Sequence, residues 1–388
     1  MHCSRGSASH RNKGREQIFA GSAGRAAEPA CNSVGSKAEP WNPLVALAEQ
    51  SRKISWLISR RKYMNLVHFF FKSLPFVASS VRKCDFASLF LLKWLMAALT
   101  QPIKWHGGKY YLRKWIVGLM PPHLHYVEPF FGGGGILLAR DPDRDWMAPS
   151  DESAPKKKLP AALQGCSEVA NDLHGELINF WRVLQNSENF EAFRQRIELT
   201  PFSEEEFNEA FESTSQEKPS STVERAVRFF ILARQSRQGL MRDFATLSRN
   251  RTRSRINEQV SAWLNVIEGL PDVHQRLKNV VILNQSACDV IRKQDGENTL
   301  FYCDPPYLHE TRSTTGEYAY EMTVEQHREL LDVLAGISGR FMLSGYPSDL
   351  YSKWEQSHGW KRHDFLIDNK AAAGKVKETK TECLWCNY

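Results

Sequence analysis

The turn Asp304-Pro305-Pro306-Tyr307 has the most specific chemistry in this sequence, and it follows an apolar run at 300–303. Each proline lacks a backbone N–H and has a fixed φ, so the turn is stiff and mainly offers hydrogen-bond acceptors. These acceptors are the carboxylate of Asp304 and the backbone carbonyl of Pro305, and the ring of Tyr307 adds a surface for stacking. The combination suits a planar ligand with an exocyclic NH2 group. A simple tight turn at the end of a strand, the alternative, would tolerate many other sequences.

A run of four glycines, Gly132 to Gly135, follows a short strand-like segment at 126–128 and precedes an apolar segment. Glycines between a strand and a helix allow a ligand to approach the backbone at the N-terminus of the helix. The spacing lacks the full dinucleotide fingerprint, which argues against NAD. A flexible turn without a ligand is the alternative.

Asp172 follows the next strand-like segment, 168–170, about 40 residues after the glycines. In nucleotide-binding α/β folds a carboxylate at this place accepts hydrogen bonds from a ribose. An aspartate after a strand is also a common helix N-cap. The position relative to the glycine run favours the ligand.

The elements that must position these residues alternate along the chain from residue 103 onward. A helix is predicted to begin at 136–140, and another at 173–185 from the spacing of its apolar residues. Residues 186–275 are predicted to be mainly helical, without a strong strand. This pattern predicts a mostly parallel α/β sheet with 186–275 inserted as a separate helical unit. Its strands are expected at 126–128, 168–170, 280–283, 299–302, 340–343 and 382–388.

Together these motifs resemble the Dam-type DNA adenine-N6 methyltransferases, the D12 class of alpha-ordered amino-methylases. The family's opening K-W-x-G-G-K motif is similar to 103–109, its Glu-Pro-Phe-x-Gly-x-Gly motif to 128–134, and its D-P-P-Y motif to 304–307. Segments 343–346 and 382–388 resemble later, weaker motifs. The resemblance extends from about 103 to 388. It implies a Rossmann-like, S-adenosylmethionine-dependent methyltransferase sheet with an inserted helical target-recognition domain.

The resemblance also implies the roles of individual residues. The catalytic residues would be Asp304, Pro305, Pro306 and Tyr307. The contacts to S-adenosylmethionine would come from Trp105, Lys109, Glu128, Pro129, Phe130, Gly132, Gly134, Asp172, Asp289 and Asp304. The chain departs from the family at His106, where a small residue is usual, and in its long loop at 141–167.

Arginines cluster in the region where this family recognises DNA. The net charge of +7 is not informative by itself, because 15 Lys/Arg against 5 Asp/Glu fall within residues 1–95 and the remainder is slightly acidic. Residues 225–255, however, contain nine arginines and one acid, Asp243. Arginine binds phosphates and guanine edges, whereas a solvated helix face is the alternative. The expected contacts to double-stranded DNA are Arg234, Arg237, Arg242, Arg249 and Arg251.

The first 95 residues differ from the rest and are expected to be disordered, or a leader translated from a misplaced start codon. In the latter case the working protein begins at or near Met96. The catalytic domain is predicted at 96–185 and 276–388, and the target-recognition domain at 186–275. Charged residues interrupt the apolar stretch at 65–100, so no membrane span is expected.

The eight cysteines are scattered, and only Cys383 and Cys386 are closely spaced. A single C-x-x-C without a second pair is weak evidence for zinc, so we expect a reduced cytoplasmic protein without a metal. A sulfonium methyl group is already activated, so its transfer requires none. A cognate restriction endonuclease is a possible partner, and a monomer or weak dimer is expected.

The resulting hypothesis is methyl transfer from S-adenosylmethionine to N6 of an adenine that has been flipped out of the DNA duplex. Methylation of cytosine N4 or of a glutamine side chain is an alternative. Those relatives more often place Ser or Asn before Pro-Pro-Tyr, so Asp304 favours adenine. An RNA substrate, and a DNA-binding regulator without catalysis, are further alternatives.

Overall fold

The computed structural model describes most of the chain from residue 99 onward. The described residues are 99–143, 165–214, 220–247, 249, 251–253, 255–311, 321–368 and 379–388. The predictions for 1–95, for a start at Met96 and for most of the 141–167 loop lie outside these ranges. Within them, no helix has both the length and the apolar character needed to cross a membrane, and no cluster of His, Cys, Asp and Glu side chains could hold a metal ion.

A seven-stranded sheet forms the centre of the described part of the chain. Its strands are β1 (His125–Glu128), β2 (Ser167–Asn171), β5 (Val280–Leu283), β6 (Thr299–Cys303), β7 (Arg340–Gly345), β8 (Lys361–Asp368) and β9 (Thr379–Cys386). They lie in the order β5-β2-β1-β6-β7-β9-β8. The five strands from β5 to β7 are parallel, whereas β9 is antiparallel to both β7 and β8. The predicted mostly parallel α/β sheet is confirmed.

Nine α-helices accompany these strands in the described residues. They are α1 (Arg113–Gly118), α2 (Gly175–Gln185), α3 (Ser187–Leu199), α4 (Glu204–Glu212), α5 (Thr222–Gln235), α6 (Glu258–Leu277), α7 (Ala287–Gln294), α8 (Val324–Ala335) and α9 (Asp349–His358). Capping boxes at Ser221 and Thr323 begin α5 and α8 by satisfying backbone N–H groups of the first turn. The helix predicted to begin at 136–140 is wrong: only a single 3₁₀ turn, Leu137–Ala139, forms there before the chain becomes extended at Arg140.

The region 186–275 contains α3 to α6 and also a short hairpin of β3 (Thr252–Arg253) and β4 (Ile256–Asn257). The region was predicted to be mainly helical without a strong strand, and each of these two strands is only two residues long. The helices share one hydrophobic core with α2. In that core the Phe180 and Phe230 rings stack with centroids 5.9 Å apart, and Phe230 lies 5.3 Å from Trp263.

The strand order changes direction between β1 and β6. From β1 the chain proceeds to β2 on one side, and it later returns to β6 on the other side. Val127 pairs with Val169 of β2 and with Phe301 of β6. Open α/β sheets bind ligands at the carboxyl ends of strands beside such a switch point. The fold therefore places the glycine run after β1 next to the proline turn after β6.

Candidate active site

A cleft of about 400 Å³ opens at the carboxyl ends of the central strands. It brings together residues that the sequence predicted from four separate segments. These are Trp105, Pro129, Phe130, Asp172, Asp304 and Pro306. A larger and shallower groove of about 780 Å³, between α7 and α8, contains none of the predicted site residues.

Gly132 to Gly135, after β1, form a bend that is called the glycine bend below, and two other segments hold it in place. Gly132 and Gly134 have φ angles of +49° and +68°, which side chains rarely adopt. The N–H of Gly132 donates to Oδ2 of Asp172 at 2.9 Å, and its carbonyl accepts from Nε1 of Trp181 at 3.0 Å. A Cβ atom on Gly132 would lie 2.7 Å from Nε1 of Trp105. The bend therefore needs glycine both for its conformation and for the close approach of the Trp105 indole.

Asp172 connects the glycine bend to the beginning of α2. Its Oδ2 accepts from Gly132, and its Oδ1 accepts from the N–H of His174 at 2.9 Å. The N-cap of α2 is His174, whose Nδ1 accepts from the N–H of Leu177 at 3.2 Å. Burial raises the pKa of Asp172, and the two backbone donors oppose that rise. Because each carboxylate oxygen accepts more than one hydrogen bond, Asp172 retains acceptor capacity toward the cleft that it lines.

Asn171, which the sequence reasoning missed, joins three strand ends. Its Nδ2 donates to the carbonyl of Pro129 at 2.9 Å and to that of Gln285 at 3.0 Å, while its Oδ1 accepts from the N–H of Gln285 at 2.9 Å. The side chain is fully buried. Asn171 therefore fixes the loops that follow β1 and β5 relative to β2.

Lys109 binds the carboxylate of Asp304 directly. Its Nζ lies 3.0 Å from Oδ1 of Asp304 and 3.4 Å from Oε1 of Glu382, and it donates to the carbonyl of Gly107 at 2.8 Å. Burial raises the pKa of Asp304, whereas the nearby ammonium of Lys109 lowers it. Lys109 does not line the cleft; it holds the residue that does.

Tyr307 belongs to the same group of contacting side chains as Lys109, Asp304 and Glu382. Its hydroxyl donates to Oε1 of Glu382. Its ring meets that of Tyr346 edge-on with centroids 4.8 Å apart, and Nζ of Lys109 lies 4.6 Å from its centroid. The ring is only 6% exposed. Glu382 and Tyr346 were not singled out in the sequence, although both fall in the segments that resemble weaker motifs, and a glutamate in an otherwise apolar last strand was the available signal.

Five of the ten predicted cofactor contacts are not among the residues that line the cleft: Lys109, Glu128, Gly132, Gly134 and Asp289. Glu128 is buried beneath the glycine bend, accepts from the hydroxyl of Tyr126 at 2.7 Å, and has a pKa raised by burial to about 8. Asp289 is exposed on α7, with its Oδ1 3.4 Å from Nη1 of Arg292.

The predicted DNA-contacting arginines fall into two groups. Arg234 is half-buried: its Nη2 donates to the carbonyl of Ala262 at 3.0 Å, and burial lowers its pKa to about 10. The side chains of the other four are exposed: Arg237, Arg242, Arg249 and Arg251. Arg253 and Arg255 of the β3–β4 hairpin are exposed beside them. The exposed arginines therefore concentrate on and before this hairpin.

Comparison with known proteins agrees with the family resemblance of the sequence motifs. Residues 157–366 match the sequence profile of the D12 class N6 adenine-specific DNA methyltransferases. The chain is 24% identical over 296 residues to a DNA adenine methylase of Escherichia coli K12, covering 71% of this chain and 92% of the relative. It is 28% identical over 302 residues to the type II methyltransferase M1.LlaDCHI of Lactococcus lactis subsp. cremoris, covering 74% and 94%. A DNA adenine methylase of Salmonella typhimurium is similar at 24% identity over 296 residues, covering 71% and 92%.

Proposed function

We propose that this chain, which belongs to the D12 class of N6 adenine-specific DNA methyltransferases, methylates adenine where the 400 Å³ cleft meets Asp304 and its partner Lys109. The observation that carries this proposal is the position of Asp304. Its carboxylate lines the cleft and is held from behind by Lys109. A ligand in the cleft and a base at the proline turn would therefore meet at this residue.

We propose S-adenosylmethionine as the ligand of the cleft. The volume falls within the usual range for small-molecule sites. Asp172 offers acceptors for ribose hydroxyls, while Trp105 and Phe130 supply apolar surface. The acidic lining, which also includes Glu329, favours a cationic ligand. When bound, this group supplies a methyl carbon that is already activated by a positively charged sulfur.

Gly132→Ala should weaken binding of S-adenosylmethionine by about 10- to 100-fold, roughly 1.4–2.7 kcal/mol, because the new Cβ would lie 2.7 Å from Nε1 of Trp105 and displace an indole that lines the cleft. Isothermal titration calorimetry on the full chain measures the change. Gly175→Ala is the matched control, since a Cβ there has no atom within 4 Å. Equal affinity of the two variants would exclude the glycine bend as part of the cofactor site.

At the proline turn, the target adenine donates its N6 hydrogens to the Asp304 carboxylate and to the carbonyl of Pro305. A base inside a duplex cannot reach such a pocket, so it is flipped out. The two acceptors direct the N6 lone pair toward the methyl carbon, and positioning supplies most of the acceleration. The cofactor would supply the methyl carbon, with the electron pair of its C–S bond left on sulfur, and the proton that N6 gives up would pass by way of the Asp304 carboxylate to solvent. Tyr307 is only 6% exposed, so this proposal rests on the two hydrogen bonds to N6 and not on stacking of the base on the Tyr307 ring.

The DNA lies, in this proposal, along the exposed arginines of the β3–β4 hairpin and the segment before it. Among the nine arginines of 225–255, Arg225 lies 3.7 Å from Glu176, Arg228 donates to the carbonyl of Ser213 at 2.8 Å, and Arg234 donates to the carbonyl of Ala262. Six others are exposed: Arg237, Arg242, Arg249, Arg251, Arg253 and Arg255. One of these, Arg237, lies 3.3 Å from Asp243. The exposed guanidinium groups together give this surface a positive charge that suits phosphates.

Replacement of both Arg249 and Arg251 by Ala should weaken binding to any DNA duplex and reduce the slope of log Kd against log salt concentration by about 1 to 2. Fluorescence anisotropy with a labelled duplex at several salt concentrations measures both quantities. Arg194→Ala is the control, because Arg194 is paired with Glu198 at 2.6 Å on α3. An unchanged salt slope in the double variant would place the DNA elsewhere.

The function is tested by identifying the product. The full chain is incubated with double-stranded DNA and S-adenosylmethionine, and the DNA is digested to nucleosides for mass spectrometry. We expect N6-methyldeoxyadenosine, and sequencing of the methylated DNA gives the recognised site. N4-methyldeoxycytidine, or no methylated nucleoside, would contradict the proposal.

A further inference from the structure

A single oxygen atom of Glu382 contacts two separate parts of the site. Oε1 accepts from the Tyr307 hydroxyl and lies 3.4 Å from Nζ of Lys109. The proposed mechanism uses the proline turn that ends in Tyr307, and Asp304, which is bound by Lys109. Glu382 itself is not among the residues that line the cleft, so it reaches the reaction only through these two neighbours.

The fold explains how a residue near the end of the chain arrives at this place. Strand β9 runs antiparallel to β7, with Cys383 opposite Gly345, the last residue of β7. Glu382 therefore lies at the edge of the sheet where the parallel strands end, beside Tyr346. On the other side of β9, Glu382 pairs with Phe365 of β8.

A carboxylate that is only 2% exposed in an apolar strand is costly unless donors surround it. Lys109 has three N–H donors, and the carbonyl of Gly107 and the carboxylates of Asp304 and Glu382 are among the acceptors around them. Asp304 uses Oδ1 for its contact with Lys109, and the Tyr307 side chain also hydrogen-bonds to this carboxylate. Because each carboxylate oxygen accepts about two hydrogen bonds, acceptor capacity remains for the base. Without the charge of Glu382, the ammonium and the ring would each lose the partner that fixes their distance from Asp304.

We propose that Glu382 is a positioning residue for methyl transfer, which holds the Tyr307 ring and the Lys109 ammonium in place around Asp304. This inference rests on the proposed role of Asp304. It assigns to Glu382 an effect on the rate of the chemical step, with little effect on the binding of DNA or cofactor.

Glu382→Gln should lower kcat by about 10- to 100-fold, because small displacements of reacting groups have effects of that size, while KM for DNA and for S-adenosylmethionine changes less than about threefold. Steady-state kinetics on the recognised duplex measure this split. The matched control is Glu355→Gln, which removes a carboxylate that accepts from Trp385 of the same strand at 2.9 Å, away from the cluster. We expect a normal kcat for the control.

A double-mutant cycle separates positioning from a structural role. Tyr307→Phe removes the hydroxyl that donates to Glu382 and also hydrogen-bonds to Asp304, so it should lower kcat in the same direction and remain testable if Glu382→Gln folds poorly. The double variant should lose less than the product of the two single losses, since both remove one contact. A normal kcat in both single variants, or strictly multiplicative losses, would overturn the inference.

The activity of an Asp304 variant distinguishes a failure of this inference from a failure of the proposed function. If an Asp304 variant retains normal turnover, the proposed centre is wrong and Glu382 has nothing to position. If the Asp304 variant is inactive but Glu382→Gln and Tyr307→Phe both turn over normally, the centre stands and only the role of Glu382 is excluded.

Discussion

Asp304→Asn should reduce methyl transfer by about 1,000-fold or more, with DNA binding changed only a few-fold. The amide loses the negative charge that Lys109 binds at 3.0 Å, and it retains one acceptor oxygen in place of two. Removing one preorganised group at a reacting centre commonly costs 100- to 1,000-fold, roughly 2.7–4 kcal/mol. Here the same change also releases the ammonium toward Glu382, so the loss should fall at the upper end of that range.

Single-turnover transfer of a radiolabelled methyl group measures the chemical step, and fluorescence anisotropy measures DNA binding in the same preparations. Asp272→Asn is the control, because Asp272 is exposed on α6 and does not line the cleft. If the Asp304 variant turned over nearly as fast as the control, Asp304 would not belong to the catalytic centre. A parallel loss of DNA binding would instead indicate that Asp304 acts mainly in recognition.

The sheet was predictable because its central strands are buried on both faces. Thr299–Cys303 and Arg340–Gly345 are mainly apolar runs, and these strands form with bounds close to those expected. Strand β5, at one edge of the sheet, was also predicted because its four residues are all apolar. Strand β8, at the other edge, was missed because five of its eight residues, Lys361–Asp368, are charged or polar. Hydrophobic pattern therefore identifies strands of apolar residues and gives little signal for a polar edge strand.

The site was predictable only where local sequence limits the conformation. The prolines after Asp304 and the glycines at 132–135 dictate backbone shape by themselves, so their positions beside the cleft followed from the strand order. Glu382 carries no such local signal. Its role depends on a register between β7 and β9 that places it 75 residues away from Tyr307 in sequence and within hydrogen-bonding distance in space.

The arginines at 225–255 show that the sequence also gives incomplete information about which charged residues are paired. Sequence shows nine cations and one acid, but partners such as Glu176 and the carbonyl of Ala262 lie outside that window. Lys104 and Arg234 also lie close together: burial, followed by the charge of Arg234, lowers the pKa of Lys104 to about 8. The local density of positive charge therefore overstates the number of residues available to DNA.

Another buried cluster of charges centres on Glu168, on β2, whose side chain is 1% exposed. Its Oε1 lies 2.9 Å from Nη1 of Arg140, and both of its oxygens accept from Arg276 of α6. Nη2 of Arg140 lies 2.8 Å from Nε2 of His123, and the pKa of that histidine is lowered to about 4, first by burial and then by Arg140. Glu168 therefore neutralises two guanidinium groups that join the segment after the glycine bend to α6.

Glu168→Ala should destabilise the protein by about 3–5 kcal/mol, because breaking a buried ion pair leaves an uncompensated charge inside the fold. Here Arg140 is fully buried and Arg276 nearly so. Urea denaturation followed by circular dichroism measures the free energy of unfolding. Glu191→Ala, which removes an exposed partner of Arg194 at 3.7 Å, should cost less than about 1 kcal/mol. Similar small losses in the two variants would show that water reaches the guanidinium groups once Glu168 is removed, and that the ion cluster does not hold α6 to the sheet.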